Sequence, residues 1–171
     1  ADVVTRAIRE KMRHHPNLPR PLISSACPAI TRLIQVRFPN LIPHIVNIRQ
    51  PMEVAAHIAR REFSAAREVP PQEVGCFFIT PCPAKMTAIR SPIGHEASAV
   101  DGAISMMEVY GQLCMQLREQ QGESSQGLAT ATAYGVGWAQ SGGEAQAVCP
   151  ENSLAVDGIE NVIRVLEEIE N

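Results

Sequence analysis

The sequence predicts an α/β protein with an open, mainly parallel sheet and helices on both of its faces. Three observations carry that expectation. Short apolar runs of strand length alternate with amphipathic helical segments, the order that parallel crossover units require. Ala, Val, Ile and Leu supply most of the apolar bulk while aromatic residues are only 4% of the chain, which suits helices layered on a sheet better than a β-sandwich. At 171 residues the chain can bury a substantial core, so a single α/β lobe over 1–171 is expected.

The first element is a helix from Val3 to Met12, where Val3, Val4, Ala7, Ile8 and Met12 share one side of the wheel. HHPNLPRP then breaks regularity with its prolines, and PLISSAC follows as a short strand ending at Cys27. Pro28 opens a second helix in which Ile30, Leu33, Ile34 and Phe38 recur at helical spacing, with proline at its favoured first-turn place. Between Pro39 and Gln50 a loop is expected, with one extended piece at His44 to Ile48.

A third helix runs from Pro51 to about Ala66, with Val54, Ala55, Ile58, Ala59 and Phe63 inward, until EVPPQE stops it. VGCFFIT is the most strand-like run of the chain and reads as a strand buried on both faces, ending in PCPAK. Val100 to Ile104 predicts another short strand. Ser105 and Glu108 then spell a capping box for a helix to about Arg118. GESSQG is a flexible loop, and GLATATAYGVGWAQSGG is a Gly/Ala-rich stretch able to run close to another surface. LAVDG predicts a last strand, and Ile159, Val162, Ile163, Leu166 and Ile169 form the apolar face of a terminal helix. The chain has no internal repeat.

Charge narrows the function classes. A formal net charge of −3 with interspersed signs gives no basic surface to track phosphates, so nucleic acid is not an expected partner. No apolar run approaches the roughly 20 residues that cross a bilayer, and no secretory signal opens the chain, so a cytoplasmic protein without a membrane partner is expected. Five cysteines, an odd number at irregular spacing, read as free thiols in a reducing compartment. The chain begins ADVV and stops at Asn171 inside a helical pattern, as a piece of a longer protein would.

Cys27 and Cys82 occupy equivalent places. Each ends a predicted strand and precedes a proline, and in an open parallel sheet the carboxyl ends of strands line the crevice where ligands collect. Thiolates are the usual ligands of iron-sulfur clusters, and a nearby cation such as Lys85 favours the deprotonated form. Two cysteines can equally be small core hydrophobes, because a cluster normally takes four protein ligands.

SSACPAITRLIQVRFPNLIPHI with PMEVAAHIAR, followed by VGCFFITPCPAK, resembles the catalytic domain of the iron-only (di-iron) hydrogenases, with their Thr-Ser-Cys-Cys-Pro and Pro-Cys-x-x-Lys corners. SGGEA resembles the family's Gly-Gly turn, and LAVDGIENVIRVLEEIEN the strand and helix before its final cysteines. The resemblance implies that Cys27 and Cys82 are two of four ligands to a four-iron four-sulfur cluster, which in the intact protein is linked to a di-iron unit. It implies that Lys85 donates a hydrogen bond to an anionic di-iron ligand such as cyanide, with a solvated surface lysine as the alternative. It also implies that Gly142 and Gly143 approach the cluster closely, with a plain helix-start turn as the alternative. The implied partners are dihydrogen, protons, and a ferredoxin-like electron carrier or further iron-sulfur domains of the same chain.

The departures from that pattern are informative. Where the family carries a first cysteine that donates protons, this chain has Ala26, and where it commonly carries Glu after the second corner, the chain has Ala88. Gln50, Pro51, Met52 and Glu53 replace a Ser-Pro-Gln-Gln stretch, and Thr80 replaces a Met. A proton-transfer group must lie within hydrogen-bond reach of its partner or one water away, so its loss implies slow turnover and resembles the family's divergent, sensory branch. The remaining two ligands are expected in a Cys-x-x-x-Cys motif beyond Asn171, so this segment alone is expected to be metal-free and inactive.

Cys76 and Cys114 are expected in the core, while Cys149 is open between loop and core. The five histidines, His14, His15, His44, His57 and His95, lack the i, i+4 or clustered partners of a metal site. The readings left standing are a slow hydrogenase or hydrogen sensor, a non-catalytic regulatory or redox-sensing module on the same scaffold, and a cluster-free α/β binding domain.

Overall fold

The structure is a computed structural model that describes residues 1–94, 96–119, 132–148 and 151–171. The described chain contains helices α1 (Asp2–His14), α2 (Pro28–Arg37), α3 (Pro51–Arg67), α4 (Pro83–Arg90), α5 (Met106–Glu119), α6 (Ala133–Gly137), α7 (Gly143–Val148) and α8 (Ile159–Glu170). Two strands, β1 (Phe77–Thr80) and β2 (Gly102–Ser105), pair in parallel with Phe77 opposite Gly102 and Thr80 opposite Ser105. The α/β class holds. The chain groups into two compact units, Ala1–Pro51 with Ala131–Asn171, and Met52–Thr130.

The first unit is built on helix packing. Ile34 of α2 is fully buried among Phe38, Leu41 and Leu166, and Val162, Ile163 and Ile169 of α8 close over this cluster. Of the apolar stripe predicted for the terminal helix, Val162, Ile163, Leu166 and Ile169 pack, while Ile159 at its first position is 56% exposed. Elsewhere in the unit α1 buries Val4, Thr5 and Ile8, and the Trp138 indole donates to Thr5 Oγ1 at 2.8 Å. The run PLISSAC, expected as a strand, pairs only through an isolated bridge between Ile23 and Ile45. Prolines at 16, 19, 21 and 43 flank the contact and cannot donate to a longer ladder. The extended piece expected at His44 to Ile48 supplies the partner of that bridge.

LAVDG, expected as a last strand, has no ladder partner among the described residues, and Leu154 is 71% exposed. The GESSQG loop and the start of the Gly/Ala-rich stretch lie outside the described residues, as do His95 and Cys149. The rest of the Gly/Ala-rich stretch forms α6 and the turn into α7.

In the second unit, Met52 and Ala56 of α3 pack against Ile89 of α4 and against Ala99 and Val100. The buried Glu53 carboxylate holds the segment before β2 by accepting from Ser98 Oγ and Ala99 N, each at 2.6 Å. The expectation that VGCFFIT is buried on both faces is corrected: Phe77 is 64% and Ile79 46% exposed. Side chains alternate along a strand, so only Phe78 and Thr80 face inward. At the start of α5 the predicted capping box forms: Glu108 accepts from Ser105 N at 3.1 Å, and Ser105 Oγ accepts from Met107 N at 3.3 Å.

Candidate metal centre

Both Cys-Pro corners are helix entrances. Cys27 is the N-cap of α2 and Cys82 the N-cap of α4, a helix whose start at Pro83 the sequence reading did not specify. Proline holds the first helical position in each, because its missing N–H would have no helical partner there and its fixed φ suits the helix. Neither thiol makes a capping hydrogen bond. Cys27 is exposed and Cys82 half-buried, so both sulfurs remain available as ligands.

A hydroxyl two residues back shapes each corner. Ser24 Oγ accepts from Ala26 N at 3.1 Å, and Thr80 Oγ1 accepts from Cys82 N at 3.1 Å. Thr80 is 3% exposed, so the residue that departs from the family's Met has a structural task in turning β1 into the second corner. Past the corner, Thr31 Oγ1 bonds the Cys27 carbonyl at 3.1 Å, while the Lys85 and Met86 amides bond the Cys82 carbonyl at 3.2 and 3.3 Å.

Lys85 lies on the first turn of α4, half-buried, and no hydrogen bond or ion pair among the described residues engages its ammonium. Ala88, two further residues past Met86 and where the family commonly carries Glu, is buried in the same helix.

Around the first corner the structure gathers polar groups that the sequence did not reveal as neighbours. Ser25 Oγ donates to Ile48 O at 3.1 Å, and Gln50 Nε2 donates to Ser25 O at 3.2 Å. Gln50 Oε1 is buried and has no hydrogen-bond partner among the described residues, an acceptor left open beside the corner. The Gly-Gly turn also comes here, through a hydrogen bond from Ser24 Oγ to the Glu144 carboxylate at the start of α7. Gly142 adopts a positive φ of 74°, and a Cβ on Gly143 would sit 1.9 Å from Gly137 O. The close approach that requires glycine at 143 is thus to the end of α6 within the same unit.

Burial pushes the Glu144 carboxyl above the ordinary range, and the Ser24 hydroxyl opposes that rise by favouring the charged form. Ser24, Gln50 and Glu144 were missed as site residues because the contacts linking them to the corner join distant positions. Only the hydroxyl two residues before a turn N–H was a local signal.

Among the described residues, neither Cys76 nor Cys114 joins a group of three or more candidate ligands. Cys76 precedes β1, packs partly buried against the second-unit core, and has Sγ 3.6 Å from Ala56 O. Cys114, expected in the core, is only half-buried because α5 exposes Met107, Tyr110, Leu113 and Met115. His44 Nδ1 lies 2.9 Å from Pro21 O, a backbone contact at a turn.

An iron-sulfur cluster can be tested against this donor set. Accessible thiols at two helix entrances are the right donors in kind, and the open Gln50 acceptor marks a polar environment at one of them. In number they are two, and no group of three or more His, Cys, Asp and Glu converges among the described residues. The residues fit as part of a ligand set.

The iron only hydrogenase large subunit, C-terminal domain, matches over residues 1–171. The chain belongs to that family. Curated relatives include the cytosolic Fe-S cluster assembly factor nar1 of Aspergillus flavus, 30% identical over 91 residues that cover 52% of this chain and 16% of that protein. The homologous factor of Schizosaccharomyces japonicus is 28% identical over 93 residues, covering 53% of this chain and 18% of the relative. The hydrogenase-family chain thus spans under a fifth of the length of these relatives.

Among solved structures, an apo FeFe-hydrogenase HydA1 variant from Chlamydomonas reinhardtii aligns with a TM-score of 0.61 at 18% identity, over 91% of this chain and 45% of that one. A second HydA1 variant from the same organism aligns with a TM-score of 0.54 at 15% identity, over 99% of this chain and 40% of its own. At such identities the likeness establishes the hydrogenase fold. No helix among the described residues is long and apolar enough to cross a membrane.

Proposed function

We propose that this domain is part of a protein that binds an iron-sulfur cluster linked to a di-iron unit and interconverts dihydrogen with protons and electrons, slowly or as a hydrogen sensor. The observation that carries the reading is the pair of corners: two cysteines with free thiols, each capping a helix opened by proline, in a chain matched by the hydrogenase family along its whole length. Cys27 and Cys82 would hold the four-iron cluster, and Lys85 would offer its ammonium to an anionic ligand of the di-iron unit. Gly142 and Gly143 would let the turn into α7 lie near the cluster. When bound, the cluster supplies the electron transfer that proton and dihydrogen interconversion needs.

The chain's own residues set the limits of that chemistry. Ala26 carries no acid at the first corner and Ala88 none on α4, so proton movement depends on other groups and turnover is slow. Electrons would come from a ferredoxin-like carrier or from further iron-sulfur domains of the same protein, in the cytoplasm. Hydrogen turnover by the full-length, cluster-loaded protein tests the proposal, with Ala26→Cys expected to raise the rate. Absence of any exchange between dihydrogen and solvent protons in a fully loaded protein would contradict it.

A second reading is favoured by one observation: the curated relatives are named as iron-sulfur cluster assembly factors. On that reading the corners hold a cluster without turning over dihydrogen. The same turnover measurement separates the two.

A further inference from the structure

We infer that Glu144, reached through the Ser24 hydroxyl, is the group that accepts and releases the proton at the first Cys-Pro corner. The inference rests on the proposed dihydrogen chemistry, because any interconversion with protons needs an acid-base group within hydrogen-bond reach or one water away. Of the side chains gathered at that corner (Ser24, Ser25, Cys27, Gln50 and Glu144), the carboxyl of Glu144 is the one suited to the task. Serine hydroxyls do not titrate in the working range, Gln50 is an amide, and Cys27 is committed as a ligand.

The geometry ties the carboxyl to the corner through one hydroxyl. Ser24 Oγ donates to Glu144 Oε2 and accepts from the Ala26 amide at 3.1 Å, so the hydroxyl stands between the carboxyl and the backbone one residue before Cys27. A proton released from dihydrogen and carried to Ser24 Oγ by one water at the corner displaces the hydroxyl's own proton onto Glu144 Oε2. Ser24 ends neutral as it began, the carboxylate becomes a neutral acid, and no electron moves in this step. Release runs the same transfers in reverse.

The surroundings favour such a role. Glu144 is half-buried, and burial raises its pKa toward the range in which a carboxyl can both take and give a proton. Helices α1 and α6 pack on α7, and α1 also carries Arg6, Glu10, Lys11, Arg13 and His14, of which Lys11 donates to Asn47 O at 3.3 Å. Arg9 of α1 donates through Nη2 to Ala147 O at 2.5 Å and through Nε to Val148 O at 3.2 Å, both at the far end of α7. Asp2 accepts from Thr132 Oγ1, and Tyr134 of α6 lies under the Arg9 guanidinium at 5.2 Å. Burial raises this carboxyl, and the Ser24 hydroxyl opposes the rise.

The test uses the full-length protein, first without its cluster and then loaded. In the cluster-free form, infrared difference spectra of protein carrying isotope-labelled glutamate are followed against pH. A protonated carboxyl signal that persists above the ordinary glutamate range, disappears in Glu144→Gln and shifts to higher pH in Ser24→Ala is expected. In the loaded form, Glu144→Gln should slow exchange of dihydrogen with solvent protons by roughly 100-fold at unchanged iron content. Glu144→Asp should keep an intermediate rate with a displaced pH profile. Glu144→Gln with wild-type iron, rate and pH profile would overturn the relay and leave the proposed function standing. No exchange in the loaded wild type would overturn the function and the relay together. If Glu144→Gln does not fold, Ser24→Ala decides, and an unchanged rate and pH profile in that variant would overturn the relay.

Discussion

Cys27 and Cys82 share one backbone conformation, with φ and ψ of −101° and 106° at the first and −95° and 109° at the second. Extended at the N-cap and followed by proline, each directs the chain into a helix without using its thiol as a cap. On the proposed reading both thiols are reserved for the cluster. In metal-free protein, Cys27→Ser and Cys82→Ser should each change unfolding free energy by no more than about 0.5 kcal/mol, measured by denaturant titration. A loss of several kcal/mol would mean that these cysteines are core spacers.

Thr80 is the reverse case. Its buried hydroxyl accepts the Cys82 amide at 3.1 Å, and Thr80→Val keeps the shape while orphaning that N–H. A cost of about 1–3 kcal/mol is expected in the same titration, with weaker cluster retention because the corner loses its hold.

Gly143 makes a steric prediction. The added methyl of Gly143→Ala would meet Gly137 O at 1.9 Å and Trp138 Cα at 2.9 Å, backbone atoms that cannot rotate away. Overpacking of this kind costs about 1–3 kcal/mol, and the thermal midpoint should fall accordingly. An unchanged midpoint would show that α6 and α7 do not pack as described.

Two carboxyls give pH dependences of opposite sign. Asp101 is held below its ordinary 3.8 by the Cys76 amide first and by Arg60 second. Its contribution is present above the unfolded value and is lost as pH falls through the folded one, so Asp101→Asn should flatten the acid limb of stability below that range. Glu144 is raised above its ordinary 4.5 by burial. The folded state then binds more protons, so stability falls as pH rises from about 4.5 through the folded value, and Glu144→Gln should remove that fall. Chemical denaturation carried from pH below 3.8 to above 4.5 separates the two, Asp101 acting in the lower part and Glu144 in the upper.

Helix starts are legible in the sequence because they carry local signals, although the face expected inward on α3 is not the buried one: Ala55, Ala59 and Phe63 are exposed, and Met52, Glu53 and Ala56 are buried. Pro28, Pro51 and the Ser105–Glu108 box mark helix starts, and the stripe of Val162, Leu166 and Ile169 marks the face of α8 that packs. Strands were harder to read. The burial of Phe77 and the pairing of LAVDG depend on what lies across a sheet, which no short window of sequence records. The same limit applies to the site. Cys27, Cys82 and Lys85 were visible as motifs, whereas Ser24 and Glu144 meet across 120 positions and needed the folded chain to be recognised.

The central claim is that these two corners hold a cluster, and the most direct measurement is iron and acid-labile sulfide per chain after anaerobic reconstitution of the full-length protein. The account predicts a cluster in the wild type that is lost in both Cys27→Ala and Cys82→Ala, with folding of each variant intact by circular dichroism. Wild-type iron and sulfide content in both folded variants would contradict it.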